Sequence, residues 1–157
     1  MRGGQRGVTL IEILIVVTLS VVVAGVAMPW FLGVIESYRL RVAAWELAGD
    51  LRLARQKAVT TQVRHRICLS NCASPVPIGG YLLERQAAGW VLDVTRADLP
   101  DGVVIATNGP GDKITFDTKG ELSGTLGTTT ALTNGTGTYE VKVASTGRVR
   151  VCKGTCP

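Results

Sequence analysis

Apolar and polar positions divide the first third of the chain into two consecutive helical segments. Residues 8–32 are almost entirely apolar, and Glu12 is their only charged side chain. As a helix rising about 1.5 Å per residue, this segment extends about 37 Å, more than the roughly 30 Å apolar core of a bilayer. From position 33 to about 62, apolar residues recur at steps of three and four, which predicts an amphipathic helix. Its expected core stripe is Leu40, Ala44, Leu47, Leu51, Ala54 and Ala58.

A second apolar stripe of the same helix lies about half a turn from the first and contains Tyr38, Val42 and Trp45. We expect it to broaden the buried face, and the alternative is a contact with neighbouring subunits. Pro29 is the expected kink or locally melted point of one continuous helix over residues 8–62. A solvated side is predicted for Arg39, Glu46, Asp50 and Lys57.

Beyond position 62 the hydrophobic period changes to that of β-strands. Alternation and short apolar runs predict strands at 63–68, 80–84, 89–94, 103–105, 113–116, 139–143 and 148–151. The Gly/Thr-rich stretch 123–138 is predicted to be an exposed loop. A long helix followed by strands indicates the α+β class, with the helix packed on a small, mainly antiparallel β-domain.

Charge at the start of the chain sets the expected orientation. Arg2 and Arg6 precede the apolar segment, so the positive-inside rule places the N-terminus in the cytoplasm and everything after Leu32 on the far side. The formal charge of the chain is +5, and loss of these two arginines with a leader leaves +3. Because this excess is mild, binding of an anionic partner requires a local cluster of cations.

Four cysteines lie in the part of the chain that is expected to be exported: Cys68, Cys72, Cys152 and Cys156. An oxidising compartment favours disulfides. Three pairings are possible, and we prefer the two local bridges, Cys68–Cys72 and Cys152–Cys156, over bridges that join the first strand to the C-terminus. Structural zinc sites usually have the closer C-x₂-C spacing, so we expect no metal.

Paired arginines are the candidate binding residues. Arg148 and Arg150 are two apart on a predicted strand and therefore share a face, and Lys142 alternates with valines in the same way. Arg64 and Arg66 form a second pair with this spacing. Such clusters suit backbone phosphates, although alternating arginine is also common on solvated strands. No aromatic residue separates these arginines, so base stacking is not indicated.

Catalytic constellations are not recognisable in the sequence. His65 is the only histidine, and no carboxylate is adjacent to it in sequence. The serines and aspartates have no recognisable nucleophile setting, and no Gly-rich phosphate loop is present. We therefore expect a protein that is not an enzyme and needs no cofactor.

The run Arg6-Gly7-Val8-Thr9-Leu10-Ile11-Glu12 resembles the cleavage and methylation site of type IV prepilins and type II secretion pseudopilins. The resemblance implies cleavage after Gly7 by a prepilin peptidase and methylation of the new N-terminus at Val8, where these proteins usually carry Phe. It also implies assembly with other pilins through Glu12, whose carboxylate can pair with the terminal amine of a neighbouring subunit inside an apolar bundle.

With this resemblance, the chain divides into a leader over 1–7, a transmembrane and assembly helix over 8–32, an amphipathic helix over 33–62 and a β-rich domain over 63–157. The implied fold is the pilin lollipop. The implied location is the inner membrane, crossed once, with a cytoplasmic N-terminus and a periplasmic globular domain that later joins a pilus or pseudopilus.

The rest of the chain resembles the FimT/GspH group of minor pilins and pseudopilins. The resemblance rests on the segment 50–55, the Gly89-Trp90 strand, Ile114-Thr115-Phe116 with Gly120, and the closing Gly147-Arg148-Val149-Arg150. In FimT-type pilins a Gly-Arg-x-Arg ending is associated with DNA binding during natural transformation. This implies that Arg148 and Arg150 bind double-stranded DNA. The alternative is a GspH-like minor pseudopilin of type II secretion with no role in DNA binding.

Processing of the N-terminus gives a first prediction. The mass of the membrane form should correspond to loss of residues 1–7, with one methyl group added at Val8. Glu12→Ala should leave export and cleavage intact but impair incorporation into filaments, because the carboxylate is the only charge in the apolar segment. Cleavage after Ala27 would instead identify a secretory signal peptide and refute the prepilin assignment.

Overall fold

The structure is a computed structural model of the 157-residue chain, and it describes residues 9–76, 79–96, 99–124 and 126–156. The predicted processing residues Gly7 and Val8 lie outside the described residues. Contacts divide the chain into two compact units, Met1–Ile35 and Glu36–Pro157. Each unit is described by itself below.

Helix α1 extends over Leu10–Thr61 and begins at a local cap. The amide of Glu12 donates to the carbonyl of Thr9 at 3.1 Å and to its hydroxyl at 3.4 Å, which satisfies a donor that the first turn leaves without a helical acceptor. The helix continues through Pro29, so the chain is not melted there. The prediction of one helix over 8–62 is thus confirmed for residues 10–61.

Apolar side chains cover all sides of α1 between positions 10 and 26, and they are exposed in the isolated chain. Hydroxyls within this stretch bond back to the helix, since Thr18 donates to the carbonyl of Leu14 at 2.9 Å and Ser20 to that of Val16 at 2.7 Å. Among the described residues, no helix unites the length and the sustained apolar character that crossing a membrane demands. The membrane span over 8–32 stays a prediction.

The second half of α1 supplies one buried face to the core of unit Glu36–Pro157. All six residues of the predicted stripe are at most 2% exposed, and Ala43 and Ala48 are buried beside them. Leucines and alanines make up this stripe, and together they pack against residues of both sheets in one core. The predicted core stripe is confirmed.

Two expectations for α1 are wrong. Tyr38 and Trp45 are 65% and 50% exposed, so the second stripe does not broaden the buried face, and only Val42 is partly covered. Asp50 is not solvated but buried, and its carboxylate accepts a hydrogen bond of 2.7 Å from the hydroxyl of Tyr81. Helical periodicity alone could not show that a strand tyrosine brings a partner to this carboxylate.

In the described ranges of the chain, eight antiparallel strands form two sheets. Sheet A contains β1 His65–Cys68, β2 Tyr81–Gln86, β3 Trp90–Arg96 and β5 Lys113–Phe116 in the order β3-β2-β1-β5. Sheet B contains β4 Val104–Thr107, β6 Gly127–Asn134, β7 Gly137–Ala144 and β8 Val149–Lys153 in the order β4-β6-β7-β8. One core joins α1 to residues of both sheets, among them Ile67, Phe116, Leu132 and Val141. The predicted α+β fold is confirmed.

Strand β6 corrects the predicted loop over 123–138. It lies inside sheet B, and Thr128, Thr130 and Leu132 alternate into the core with at most 2% exposure. Threonine is β-branched and suits a strand, and its hydroxyl can be buried once it has a partner. Thr130 meets this condition by donating to the hydroxyl of Thr107 on β4 at 3.1 Å. The polar composition therefore concealed a buried strand.

Both disulfides are local, as preferred from the sequence. Cys68 is bonded to Cys72 and Cys152 to Cys156. The second bridge closes the loop after β8, and two backbone donors hold this loop on β7. The amide of Cys156 donates to the carboxylate of Glu140 at 2.7 Å, and that of Gly154 to the carbonyl of Thr138 at 2.9 Å.

Peptide mapping without reduction should therefore yield two linked pairs, Cys68 with Cys72 and Cys152 with Cys156. Thiol titration of the unfolded, unreduced chain should find no free thiol, because all four cysteines are oxidised. A peptide linking Cys68 or Cys72 to Cys152 or Cys156 would contradict the local pairing, and stoichiometric zinc would contradict oxidation.

Candidate nucleic-acid interface

The β7–β8 hairpin carries the predicted basic residues and turns through a three-residue loop. The amide of Ala144 donates to the carbonyl of Arg148 at 2.9 Å, and that of Gly147 to the carbonyl of Ala144 at 2.8 Å. Gly147 has a φ of +75°, the left-handed conformation that ends this type of loop and favours glycine. Arg148 is therefore the first residue after a tight turn.

Alternation along the hairpin separates cations from valines. Val141 and Val143 of β7 are buried, and Val149 and Val151 of β8 pack against the core. The residues between them point to the opposite face, where Lys142 lies directly across from Arg150 in the strand register. Arg148 and Arg150 are exposed and Lys142 is half-buried. This is the common face that the strand period predicts.

A shallow concavity of about 280 Å³ lies on this face. Its lining residues are Lys142, Ala144, Thr146, Arg148 and Arg150. The small side chains of Ala144 and Thr146 leave room between the cations for an anionic group. We call these three cations, Lys142, Arg148 and Arg150, the basic cluster.

Lys142 and Arg150 are like charges at directly opposed positions of neighbouring strands. Cross-strand neighbours lie about 4.5–5.5 Å apart at Cβ, and like charges at such positions destabilise a sheet. Glu140 lies on the same face, two residues before Lys142, and its carboxylate accepts the amide of Cys156. A bound phosphate would offset the repulsion between Lys142 and Arg150.

The second predicted arginine pair, Arg64 and Arg66, does not form an exposed basic surface. Arg66 is 8% exposed, its Nε donates to the Glu84 carboxylate at 2.6 Å, and its guanidinium stacks 3.8 Å from the centre of the Trp90 ring. Glu84 also accepts the amide of Ala73 at 2.7 Å. Arg66 is thus committed inside the protein and unavailable to DNA.

Arg64 is exposed at the entry to β1, which belongs to sheet A, whereas the basic cluster belongs to sheet B. The local disulfides also remove the bridge that could have placed Cys68 beside Cys152. Arg66 is buried because Glu84 of β2 and Trp90 of β3 lie against its guanidinium group. The two-residue spacing of Arg64 and Arg66 in the sequence could not predict that Arg66 is buried by these side chains.

Two further groups bear on chemistry. His65 is 2% exposed, and its Nδ1 lies 2.8 Å from the carbonyl oxygen of Val63. Its Nε2 lies 3.8 Å from the carboxylate of Asp93, and this carboxylate pairs with Lys57 at 2.6 Å. In the described part of the chain, one group has metal-ligand spacing: Cys68, Cys72 and Glu84. Its two sulfurs form a disulfide and Glu84 pairs with Arg66, so the group offers no thiolate ligand.

Comparison with protein families identifies the chain. A family model described as type II transport protein GspH matches residues 43–147, which is more than half of the sequence. The chain belongs to the GspH family. A second model, the prokaryotic N-terminal methylation motif, matches residues 2–28 and covers the predicted cleavage site and Glu12. Arg148 and Arg150 lie just beyond the GspH match.

Solved structures of the same fold come from two kinds of system. The type IV minor pilin FimU of Pseudomonas aeruginosa is 21% identical, with a TM-score of 0.56 over 71% of this chain and 90% of FimU. The minor pseudopilin EpsH of the Vibrio cholerae type 2 secretion system is 13% identical, with a TM-score of 0.57 over 73% of this chain and 97% of EpsH. Among curated protein sequences, none matches the chain.

The fold and the family together define the class of the protein. This GspH-family protein has the pilin-like order of a long helix followed by antiparallel sheets, and it is a minor pilin or pseudopilin. The resemblance read from the sequence is thereby confirmed at the level of family and fold.

Arg66 and Arg64 provide a matched stability test. Arg66→Ala should destabilise the protein by about 3–5 kcal/mol, because it leaves the buried Glu84 carboxylate without its ion-pair partner. Arg64→Ala, two residues earlier and exposed, should change the free energy of unfolding by less than about 0.5 kcal/mol. Urea unfolding measures both, and equal effects would show that Arg66 is not buried in an ion pair.

Proposed function

We propose that this GspH-family protein is a minor type IV pilin that assembles into or primes a pilus and binds double-stranded DNA for uptake in natural transformation. The observation that carries the proposal is the concave basic cluster of Lys142, Arg148 and Arg150 on one face of the β7–β8 hairpin. The role is one of assembly and binding, and no reaction is assigned to the protein.

Maturation follows from the N-terminal motif. In this proposal a prepilin peptidase cleaves after Gly7, Val8 becomes the methylated N-terminus, and the apolar helix holds the subunit in the inner membrane before assembly. The match to the methylation motif and the exposed apolar side chains of residues 10–26 support this. Leaving them in water costs about 25 cal/mol per Å² of apolar surface, so a membrane or other pilin helices must cover them.

DNA binding follows from the spacing of the cations. Arg148 and Arg150 are two strand residues apart, about 6.6 Å along β8, and Lys142 lies across from Arg150. Three cations within this distance can contact neighbouring phosphates of one backbone. Arginine also presents a planar set of donors that matches phosphate oxygens in a bidentate way.

The lining of the concavity favours binding without sequence preference. It contains three cations, alanine and threonine, with no aromatic ring for stacking and no amide side chain to read a base edge. Phosphate contacts position a protein on DNA but carry no sequence information. Capture of any incoming DNA requires only this.

A type II secretion minor pseudopilin is the second candidate. The family model carries the name of a type II transport protein, and EpsH comes from such a system. A secretion subunit has no need for the basic cluster. Deletion of the gene should therefore reduce transformation if the first proposal holds, whereas loss of secreted enzymes with normal transformation would favour the second.

DNA binding is testable on the isolated unit 36–157. The fragment should bind duplex DNA with a dissociation constant of about 10⁻⁴–10⁻⁶ M at physiological salt. Replacement of Arg148 and Arg150 by Gln should abolish most of this binding without unfolding the fragment, because both side chains are exposed. Fluorescence anisotropy with labelled duplex at several salt concentrations gives the affinity and its salt dependence.

A double Arg64→Gln, Arg85→Gln variant is the matched control. It removes the same charge from two exposed positions of sheet A and should bind nearly as well as the parent. Equal losses in both double variants would show that net charge, and not the basic cluster, drives binding. If the parent fragment shows no salt-dependent binding of DNA, only the structural role as a filament subunit remains.

A further inference from the structure

Two loops and helix α1 meet beside the basic cluster. One loop, residues 117–121, follows β5, and the other, residues 144–148, is the β7–β8 turn. The carboxylate of Asp117 accepts the amides of Lys119 and Glu121 at 3.0 and 2.9 Å, which shapes the first loop. The amide of Leu122 donates to the carbonyl of Ser145 at 2.8 Å and ties the two loops together.

A glycine stands at the contact point of each loop. Gly120 and Gly147 both have left-handed φ values, +78° and +75°. A Cβ added to Gly147 would lie 2.0 Å from the carbonyl oxygen of Gly120, and one added to Gly120 would lie 2.8 Å from the side chain of Val59 on α1. The two turns therefore touch through their backbones. A side chain at Gly147 would separate them, and a side chain at Gly120 would push the first loop away from α1.

Arg55 of α1 lies across this contact. Its Nε donates to the carbonyl of Gly120 at 3.1 Å. A Cβ on Gly147 would lie 2.7 Å from the same Nε and 3.1 Å from Cδ of Arg55, so the arginine side chain packs directly on the Gly147 backbone. One side chain thus holds the first loop by a hydrogen bond and the second by contact.

Arg148 follows Gly147 and depends on its conformation. The first cation of the cluster leaves the turn in the direction that the Gly147 backbone sets, and Ala144 fixes it further by bonding to its carbonyl. A hairpin turn that moved would spread Arg148 over many positions relative to Arg150. Ordering such side chains on binding costs affinity, and prior ordering by the protein removes that cost.

We propose that Arg55 is a positioning residue for the basic cluster: it clamps the Gly120 and Gly147 turns so that Arg148 is displayed beside Arg150. This inference rests on the proposed DNA binding. Arg55 does not line the concavity, and its Nε donates to Gly120, so the proposed effect on binding runs through the turn.

The test uses the full-length chain in nonionic detergent and a labelled duplex. Arg55→Gln removes the charge and the Nε donor, and Arg55→Lys keeps the charge but loses the Nε donor. Both should weaken DNA binding by about three- to tenfold, the worth of one lost hydrogen bond. The slope of log K against log salt should stay the same, because no phosphate contact is removed. Arg52→Gln, one turn earlier and exposed, is the control for charge.

A double-mutant cycle sharpens the test. If Arg55 acts through Arg148, then Arg55→Gln should change nothing further in a chain that already carries Arg148→Gln. If the double variant loses affinity by the product of the two single-variant factors, Arg55 and Arg148 act independently and the clamp is overturned. A salt slope that falls by about one in Arg55→Gln, but not in Arg55→Lys, would show that Arg55 contacts phosphate and would also overturn it.

Hydrogen–deuterium exchange without DNA separates this inference from the proposed function. Amides of residues 144–148 should exchange faster in Arg55→Gln and Arg55→Lys than in the parent or in Arg52→Gln, because the turn loses its support. Unchanged exchange would overturn the clamp. A parent chain that binds no DNA would refute the DNA-binding function, while the exchange measurement still decides whether Arg55 holds the turns.

Discussion

The packing of one alanine-rich stripe of α1 against both sheets is the contact on which the rest of unit 36–157 depends. The stripe is buried completely or nearly so, and the core that it forms includes residues of sheet A and of sheet B. Residues at the edge of the stripe reach a loop of the β-domain: Val59 lies against Gly120, and Arg55 hydrogen-bonds to it.

Helical and strand periods predicted the elements and the core well, because apolar burial leaves a direct record in the sequence. They failed where a polar side chain is buried with a partner. From the sequence alone, Thr130 is predicted to lie in a loop and Asp50 to be solvated. In the structure both are buried, because Thr130 hydrogen-bonds to Thr107 and Asp50 to Tyr81. Thr107 is brought to Thr130 by strand register, and Tyr81 is brought to Asp50 by packing of the sheet on the helix; a single sequence displays neither.

The candidate site divides in the same way. Arg148 and Arg150 were predictable because an edge strand has a buried face and an open one, so alternation assigns each residue. Arg66 has the same spacing on β1, but β1 is an interior strand whose neighbours bring Glu84 to it. Arg55 belongs to the segment 50–55 that carries the family resemblance, but nothing in the sequence indicated its contact with the two glycine turns, which are distant in sequence and meet only in the fold.

The edge position of β8 bears on how the basic cluster is interpreted. Charges on an edge strand also discourage pairing with strands of other chains, and this alone can explain an arginine on β8. It does not explain Lys142, which lies on the interior strand β7 directly across from Arg150. Nor does it explain the reinforcement of the hairpin at both ends, by Leu122 and Arg55 at the turn and by the Glu140 contact at the disulfide loop. Cations gathered on one face of a hairpin that is supported at both ends suit the proposed binding of an anion, because side chains that the protein has already ordered lose less conformational freedom on binding.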